Sequence, residues 1–147
     1  MRSSIRTRVH VADRPPRGVV DTSVLIDLER LDPESLPVEV AVSAVTLAEL
    51  AAGPHATDDP AERARRQDRL QRAEATFEPL PVDAAVARAY GRVYSAVTAA
   101  GRKGRGRRAL DLLIAATALA AELPLYTRNA SDFAGLEVLL KVVVVES

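Results

Sequence analysis

Cysteine and tryptophan are absent from this chain of 147 residues, and histidine occurs only twice. Without cysteine the protein has no disulfide framework, no thiolate metal site and no cysteine nucleophile. With only His10 and His55, a histidine-rich zinc site is also disfavoured. A metal ion, if one is bound, must be held by oxygen ligands, which favours Mg²⁺ or Mn²⁺.

Aromatic side chains and long apolar runs are also scarce. Aromatic residues make up 3% of the chain, so the core is expected to consist of Val, Leu, Ile and Ala. No apolar run approaches the roughly 18 residues of a membrane span, and the arginine-rich N-terminus lacks the apolar core of a secretory signal. We therefore expect a cytoplasmic protein with no membrane partner.

Net charge is absent too, because 20 basic residues balance 20 acidic ones. The charges are unevenly distributed, however, since residues 84–110 carry seven Arg or Lys residues and no acid. A strongly basic segment allows a neutral protein to bind a polyanion. This segment is therefore a candidate contact for nucleic acid or for an acidic partner.

The length of the chain predicts one domain. Residues 1–17, which contain Pro15-Pro16 and show little periodicity, are expected to form a flexible leader, and residues 18–147 the folded domain. Strands and helices alternate after the leader, which predicts an α/β fold with a mainly parallel central sheet and helices on both faces. Strands are predicted at 18–21, 38–43, 125–127 and 138–145, and helices at about 23–30, 45–52, 61–77, 84–99 and 109–122.

Asp21 directly follows the first apolar strand, in the sequence Gly18-Val19-Val20-Asp21. A carboxylate there is badly placed for stability, but ligands of open α/β sheets bind at the carboxyl ends of the strands. We expect Thr22 or Ser23 to cap the following helix. The alternative for Asp21 is that it is the cap itself.

Three further acids occur in similar contexts. Glu49 lies in an otherwise apolar helical segment, Asp111 opens an apolar helix, and Asp132 follows the strand at 125–127. Each has an ordinary alternative: an exposed helix position for Glu49, a first-turn acid that complements the helix dipole for Asp111, and a loop acid for Asp132. Carboxylates gathered in a cleft repel one another unless a divalent cation neutralises them, so the four acids together predict a metal site.

Four segments, which follow one another in the same order as the family's motifs, resemble those of PIN-domain ribonucleases, and most closely those of the VapC toxins of bacterial type II toxin–antitoxin pairs. The segments are 19–26 (VVDTSVLI), 43–50 (SAVTLAEL), 111–118 (DLLIAATA) and 125–129 (LYTRN). The resemblance covers roughly residues 18–146 and implies a PIN-like α/β/α sandwich. It also implies a Mg²⁺- or Mn²⁺-dependent endoribonuclease that cleaves structured RNA (tRNA or rRNA) and is inhibited by a cognate antitoxin. The assembly implied is a homodimer or a toxin–antitoxin hetero-oligomer.

The resemblance also implies roles for individual residues. Asp21, Glu49 and Asp111 match the family's three core acids, with Asp21 and Asp111 as metal ligands. Many PIN domains carry an aspartate where this chain has Asn129, so we assign the fourth catalytic position to the nearby Asp132. Glu49, Asp132 and Asn129 are further candidate ligands, and Asn129 is also a candidate for orienting a water. The supporting polar candidates are Ser23, Thr46 and Thr127.

The predicted reaction is hydrolysis of a phosphodiester bond by metal-activated water, with carboxylates that place the metal and accept the proton of the water. The basic loop Gly101–Arg108 immediately precedes Asp111, so we expect it to contact RNA phosphates. A solvated loop and a docking segment for the antitoxin are the alternatives. The RNA-binding candidates are Arg102, Lys103, Arg105, Arg107 and Arg108.

Two other functions are alternatives to the nuclease. A non-catalytic module that binds nucleic acid or antitoxin keeps the same fold, and Asn129 at the fourth position favours it. A response-regulator-like protein with Asp21 as phosphoacceptor is disfavoured, because the chain lacks an acidic pair before the first strand and a suitable late lysine.

Overall fold

A computed structural model of the protein describes residues 16–104 and 106–146, except for the side chain of Arg107. Within these ranges, parallel strands form one sheet in the order β2-β1-β3-β4. The strands are β1 (Arg17–Val20), β2 (Glu39–Val42), β3 (Leu125–Thr127) and β4 (Val142–Val144). The helices are α1 (Thr22–Ile26), α2 (Ala44–Ala52), α3 (Pro60–Thr76), α4 (Ala84–Ala99) and α5 (Arg107–Ala120). The predicted α/β class and parallel sheet are confirmed.

Apolar side chains on both faces of the sheet explain the layered fold. Successive residues of a strand point to opposite faces. Val19 and Leu125 accordingly join the apolar cluster built with α4 and α5, whereas Val20 and Tyr126 join the cluster built with α1 and α3. The sheet is therefore the middle layer of an α/β/α sandwich, and the strand ends at one edge are left to carry polar residues.

Helix α5 is buried against the sheet, as its apolar sequence predicts. Leu112, Ile114 and Ala116 are all fully buried. A helix that is apolar nearly all round has no solvent face to offer, so it becomes part of the core. The polar residues of α5 are concentrated at its N-terminal end, where Asp111 lies in the second turn.

Some element ends differ from the prediction. The last strand begins at Val142 rather than 138, because the N–H groups of Leu139 and Leu140 donate to the carbonyl of Leu136 at 2.9 and 3.1 Å and form a turn. Helix α1 ends at Ile26, and the chain continues as a 3₁₀ turn at Leu28–Arg30. Hydrophobic periodicity does not predict these local turns, because the order of apolar and polar residues in a turn can be the same as at the end of a strand or helix.

The predicted leader at residues 1–17 lies outside the described residues as far as residue 15. Arg17 is the first residue of β1 and pairs with Glu39 at 3.3 Å. In the described part of the chain, no helix combines the length and the apolar character that crossing a membrane requires.

We predict opposite effects for two glycine-to-alanine changes. A Cβ on Gly18 in β1 would lie 2.5 Å from Cε1 of the buried Tyr126, so Gly18→Ala should destabilise the protein by about 1–3 kcal/mol. Gly91 on α4 has no neighbour within 4 Å of an added Cβ, so Gly91→Ala should stabilise it by up to about 1 kcal/mol. Urea unfolding of both variants measures the difference, and equal stabilities would contradict the packing at Gly18.

Candidate active site

Asp21 and Thr127 meet at the carboxyl edge of the sheet because β1 and β3 are parallel neighbours. The backbone N–H of Asp21 donates to the carbonyl of Tyr126 at 3.0 Å and extends this pairing by one residue. The hydroxyl of Thr127, which is fully buried, donates to Oδ2 of Asp21 at 2.6 Å. The two strand ends thus form the floor of the candidate site.

The other oxygen of Asp21 caps helix α1. Its Oδ1 accepts hydrogen bonds from the Ser23 hydroxyl at 2.6 Å and from the Val24 backbone N–H at 3.1 Å. The prediction that Thr22 or Ser23 is the cap is therefore wrong. The extended backbone at Asp21 turns its carboxylate back over the first turn, so the strand-end acid and the cap are the same side chain.

Burial is the main influence on the charge of Asp21, which is only 5% exposed. Desolvation raises its pKa above 3.8, while hydrogen bonds from Ser23, Thr127 and the Val24 backbone lower it, and the charge of Asp132 adds to the rise. A carboxylate offers about four acceptor positions. Three are occupied by these donors, which leaves room for one more ligand.

Glu49 is tied to the same region by a residue that the sequence analysis did not assign to the site. The hydroxyl of Thr22 donates to Oε1 of Glu49 and also lies 3.1 Å from Oγ1 of the buried Thr46. Glu49 is half-buried, so the predicted alternative of a fully exposed helix position does not hold. The sequence feature that points to Thr22 is its position directly after Asp21, although that position by itself predicts only a helix cap.

Asp111 lies in the second turn of α5, because the helix begins at Arg107 and has no acid in its first turn. The alternative of a first-turn acid is therefore not met. Among the described residues, no donor forms a hydrogen bond with its carboxylate. Burial raises the pKa of Asp111 to about 6, and the charges of Asp132, Glu49 and Asp21 add to this rise, whereas Arg108 opposes it. All four predicted acids therefore act on one another in a single cluster.

The short 3₁₀ turn at Ala130–Phe133 places Asp132 and Asn129 differently. Asp132 is half-buried, and its charge raises the pKa of both Asp21 and Asp111. Asn129 is exposed; its backbone N–H donates to Oγ1 of Thr127 and its carbonyl accepts from the N–H of Asp132, both at 3.0 Å. The structure thus places Asp132 electrostatically within the cluster, while the backbone of Asn129 organises the turn that carries it.

The predicted basic loop is only partly a loop, because Arg107 and Arg108 belong to α5. A guanidinium nitrogen of Arg108 donates to the backbone carbonyl of Asp132 at 2.8 Å, and one of Arg102 donates to the carbonyl of Ser131 at 3.0 Å. These two arginines therefore hold the turn that carries Asp132. Lys103 is exposed, whereas Arg105 and the side chain of Arg107 lie outside the described residues.

The acids fit a hard divalent cation, although no ready-made cage is present. In residues 16–104 and 106–146, no three acidic or histidine side chains are grouped closely enough to enclose a metal ion. Mg²⁺ in enzymes usually keeps several waters and takes only one or two carboxylates, so a closed cage is not required. The donors here are carboxylate oxygens, and their mutual repulsion is what a bound cation relieves.

We predict that Thr127→Val destabilises the protein by about 1–3 kcal/mol, because it removes a donor to Asp21 and leaves the Asn129 N–H without its acceptor. Urea denaturation gives the change. Thr98→Val is the matched control, since Thr98 is exposed on α4 and should change stability by less than about 0.5 kcal/mol. Equal effects at both positions would contradict the role of the Thr127 hydroxyl.

Comparison with known proteins identifies the family of the chain. The family model described as PIN domain matches residues 18–137. Ribonuclease VapC5 of Mycobacterium tuberculosis is 40% identical over 126 residues, which are 84% of this chain and 90% of that protein.

Solved structures give the same result. The crystal structure of VapBC-5, a member of the VapBC family of toxin–antitoxin systems from Mycobacterium tuberculosis, superposes with a TM-score of 0.76 at 39% identity and covers 90% of this chain and all of that one. A toxin–antitoxin complex from Klebsiella pneumoniae has a TM-score of 0.60 at 27% identity, over 86% of this chain and 96% of that one. The chain therefore belongs to the PIN-domain family and, within it, to the VapC ribonucleases.

Proposed function

We propose that this ribonuclease is a metal-dependent endoribonuclease and the toxin of a type II toxin–antitoxin pair. The observation that carries the proposal is Asp111, whose pKa is raised to about 6 by burial and by the charges of Asp132, Glu49 and Asp21. Four carboxylates from separate segments act on one another there, and among the described residues Arg108 is the cation that offsets part of their repulsion at Asp111. Such an arrangement is costly for stability, and it is typical of a site that works with a bound divalent ion.

Asp21 and Asp111 are the proposed direct ligands of Mg²⁺ or Mn²⁺. Asp21 is held rigidly by three donors and keeps one acceptor position, while Asp111 has a carboxylate without a hydrogen-bond donor among the described residues. Glu49 and Asp132 are the further proposed carboxylates that would help to hold the cation. Asp132, rather than Asn129, is the proposed fourth acid, because its charge reaches both direct ligands.

The bound cation supplies an activated water and offsets negative charge on the phosphate. The protein side chains then have distinct tasks. Ser23 and Thr127 fix the orientation of the Asp21 carboxylate, and Thr22 fixes that of Glu49. A carboxylate oxygen of the cluster receives the proton of the attacking water, since the described part of the site contains no histidine or cysteine.

Basic residues next to the acids are the proposed contact for the RNA backbone. Lys103 is exposed, and Arg102 and Arg108 lie at the turn that carries Asp132. With aromatic residues at only 3% of the chain, recognition is expected to depend on RNA shape and phosphates rather than on base stacking. Structured RNA, such as tRNA or rRNA, is the proposed substrate class.

A cognate antitoxin is the proposed protein partner. The VapBC-5 and Klebsiella pneumoniae structures are described as members of toxin–antitoxin systems, and both share more than a quarter of their aligned residues with this chain. A toxin–antitoxin hetero-oligomer or a homodimer is the corresponding assembly. Size-exclusion chromatography with light scattering of the toxin alone and after coexpression with the product of an adjacent reading frame tests it.

The deciding experiment is RNA cleavage by purified protein with and without divalent cations. We expect defined cleavage ends in total RNA with Mg²⁺ or Mn²⁺, and a loss of at least about 100-fold with EDTA, because the acids alone cannot activate water efficiently. Restoring the cation should restore the same ends. Cleavage that persists unchanged in EDTA would overturn the proposed metal dependence, and RNA binding without cleavage at any metal concentration would favour a non-catalytic module.

A further inference from the structure

A cavity of about 830 Å³ lies at the end of the sheet opposite the acids. It is bordered by the first three turns of α4, by the C-terminal end of α5 and by the segment that leads into β4. Pro124 and Lys141, which line it, immediately precede β3 and β4, whereas the acids follow the strands. The proposed nuclease function therefore does not involve this surface.

The wall formed by α4 alternates small and basic residues along one helix face. Ala85 and Ala89 are four residues apart, as are Arg88 and Arg92, and each arginine follows one of the alanines by three positions, so all four lie on the same side of the helix. The two alanines leave a trough between the long arginine side chains. Opposite them, half-buried leucines form the apolar wall, namely Leu119, Leu123 and Leu139.

Three cations surround this apolar trough, and Glu122 is the acid that lines it. In the described part of the chain, no ion pair or side-chain hydrogen bond engages Arg88, Arg92 or Lys141, whereas arginines such as Arg66 and Arg128 bind carboxylates. The basic residues of segment 84–110 therefore divide into two groups. Among those that the structure describes, Arg102 and Arg108 lie at the turn that carries Asp132, whereas Arg88 and Arg92 border the trough.

We propose that this trough binds an acidic amphipathic segment of a partner protein. Apolar side chains of that segment would pack against the leucines, and its Asp or Glu side chains would pair with Arg88, Arg92 and Lys141. An RNA strand fits less well, because the trough is lined largely by aliphatic side chains and a sugar–phosphate backbone has no apolar groups to pack against them. Charge complementarity likewise disfavours the chain's own N-terminal segment, since residues 1–15 carry four arginines and one acid.

The test uses a fluorescein-labelled synthetic peptide of about 18 residues, with leucines along one helix face and glutamates elsewhere. Fluorescence anisotropy without RNA measures its binding to the full chain. We expect binding that weakens as salt increases, and at least about tenfold weaker binding to Arg88→Glu/Arg92→Glu. A peptide with lysine in place of glutamate should not bind. Amide chemical shifts should change at residues 85–92 and 119–124 in the wild type.

A matched control carries the same change of charge on another helix. Arg65→Glu/Arg69→Glu alters a second groove, of about 550 Å³, that is lined by α1 and α3. If this control, and not the α4 variant, loses the peptide, the proposal is wrong. It is also overturned if polyuridylate RNA displaces the peptide and itself binds the α4 variant tenfold more weakly than the wild type. Self-association of the chain alone that depends on Arg88 and Arg92 would overturn it as well. Arg88 and Arg92 are exposed and lie at the end of the sheet opposite the acids, so RNA cleavage by the α4 variant should be unchanged. This result separates the inference from the nuclease proposal.

Discussion

Replacing Asp111 with asparagine is expected to lower the rate of RNA cleavage by at least about 100-fold and to leave the fold intact. The carboxylate is surrounded by other acids and has no hydrogen-bond donor among the described residues, so the amide removes a ligand and a charge without breaking an internal contact. The measurement is single-turnover cleavage of a structured RNA in Mg²⁺, with circular dichroism to verify the fold.

Asp83→Asn is the matched control for that loss. Asp83 caps α4 by accepting a hydrogen bond from the Val86 N–H at 3.0 Å, and it lies two residues before Ala85, which lines the cavity at the end of the sheet opposite the acids. Its replacement should therefore leave cleavage within about twofold of wild type, because asparagine also serves as a helix cap. Cleavage that survives in Asp111→Asn, or that is lost equally in Asp83→Asn, would refute the assignment of the site.

The same replacement of Asp111 is expected to make the metal-free protein more stable at neutral pH. A rise of the pKa from 3.8 to about 6 corresponds to about 3 kcal/mol of unfavourable interaction in the ionised folded state. Because the group is partly exposed, solvent screening leaves about 1–2 kcal/mol. Asp111→Asn should therefore raise Tm in EDTA at pH 7.5 by about 3–6 °C.

The sign of the pH dependence distinguishes this effect from a general change in packing. Since the folded protein binds the proton of Asp111 more tightly than the unfolded chain, the wild type loses stability as the pH rises from 3.8 to about 6. The gain in Asp111→Asn should consequently be largest above pH 6 and vanish below pH 3.8. Mg²⁺ should stabilise the wild type more than the variant. A gain that is independent of pH would contradict electrostatic crowding as its cause.

The sequence was sufficient to predict the parts of the site that depend on strand ends. Asp21 and Thr127 terminate apolar runs, and parallel strands bring such ends together at one edge. The position of Asp111 on a buried helix also followed from the apolar pattern of residues 112–119. Burial follows from the local hydrophobic pattern, and the parallel direction of the strands follows from their alternation with helices along the chain.

Other contacts depend on how whole elements pack, which local patterns do not encode. The hydrogen bond from Thr22 to Glu49 requires α1 and α2 to lie side by side. The sequence predicts Arg108 as an RNA contact but does not reveal that its guanidinium also donates to the carbonyl of Asp132, which is 24 residues away in sequence. The sequence leaves open whether Asp21, Thr22 or Ser23 caps α1, because the direction of the capping side chain depends on a backbone angle rather than on residue type.

The hydrogen bond between Asp21 and Thr127 joins residues that are 106 positions apart. During synthesis at about 5–20 residues per second, roughly 5 to 20 seconds separate the appearance of these two residues. Until β3 is made, β1 lacks its second neighbour, and neither Asp111 nor Asp132 is in place. A growing chain that has not yet reached β3 therefore lacks the assembled acid cluster, and the site forms only after that strand has been made.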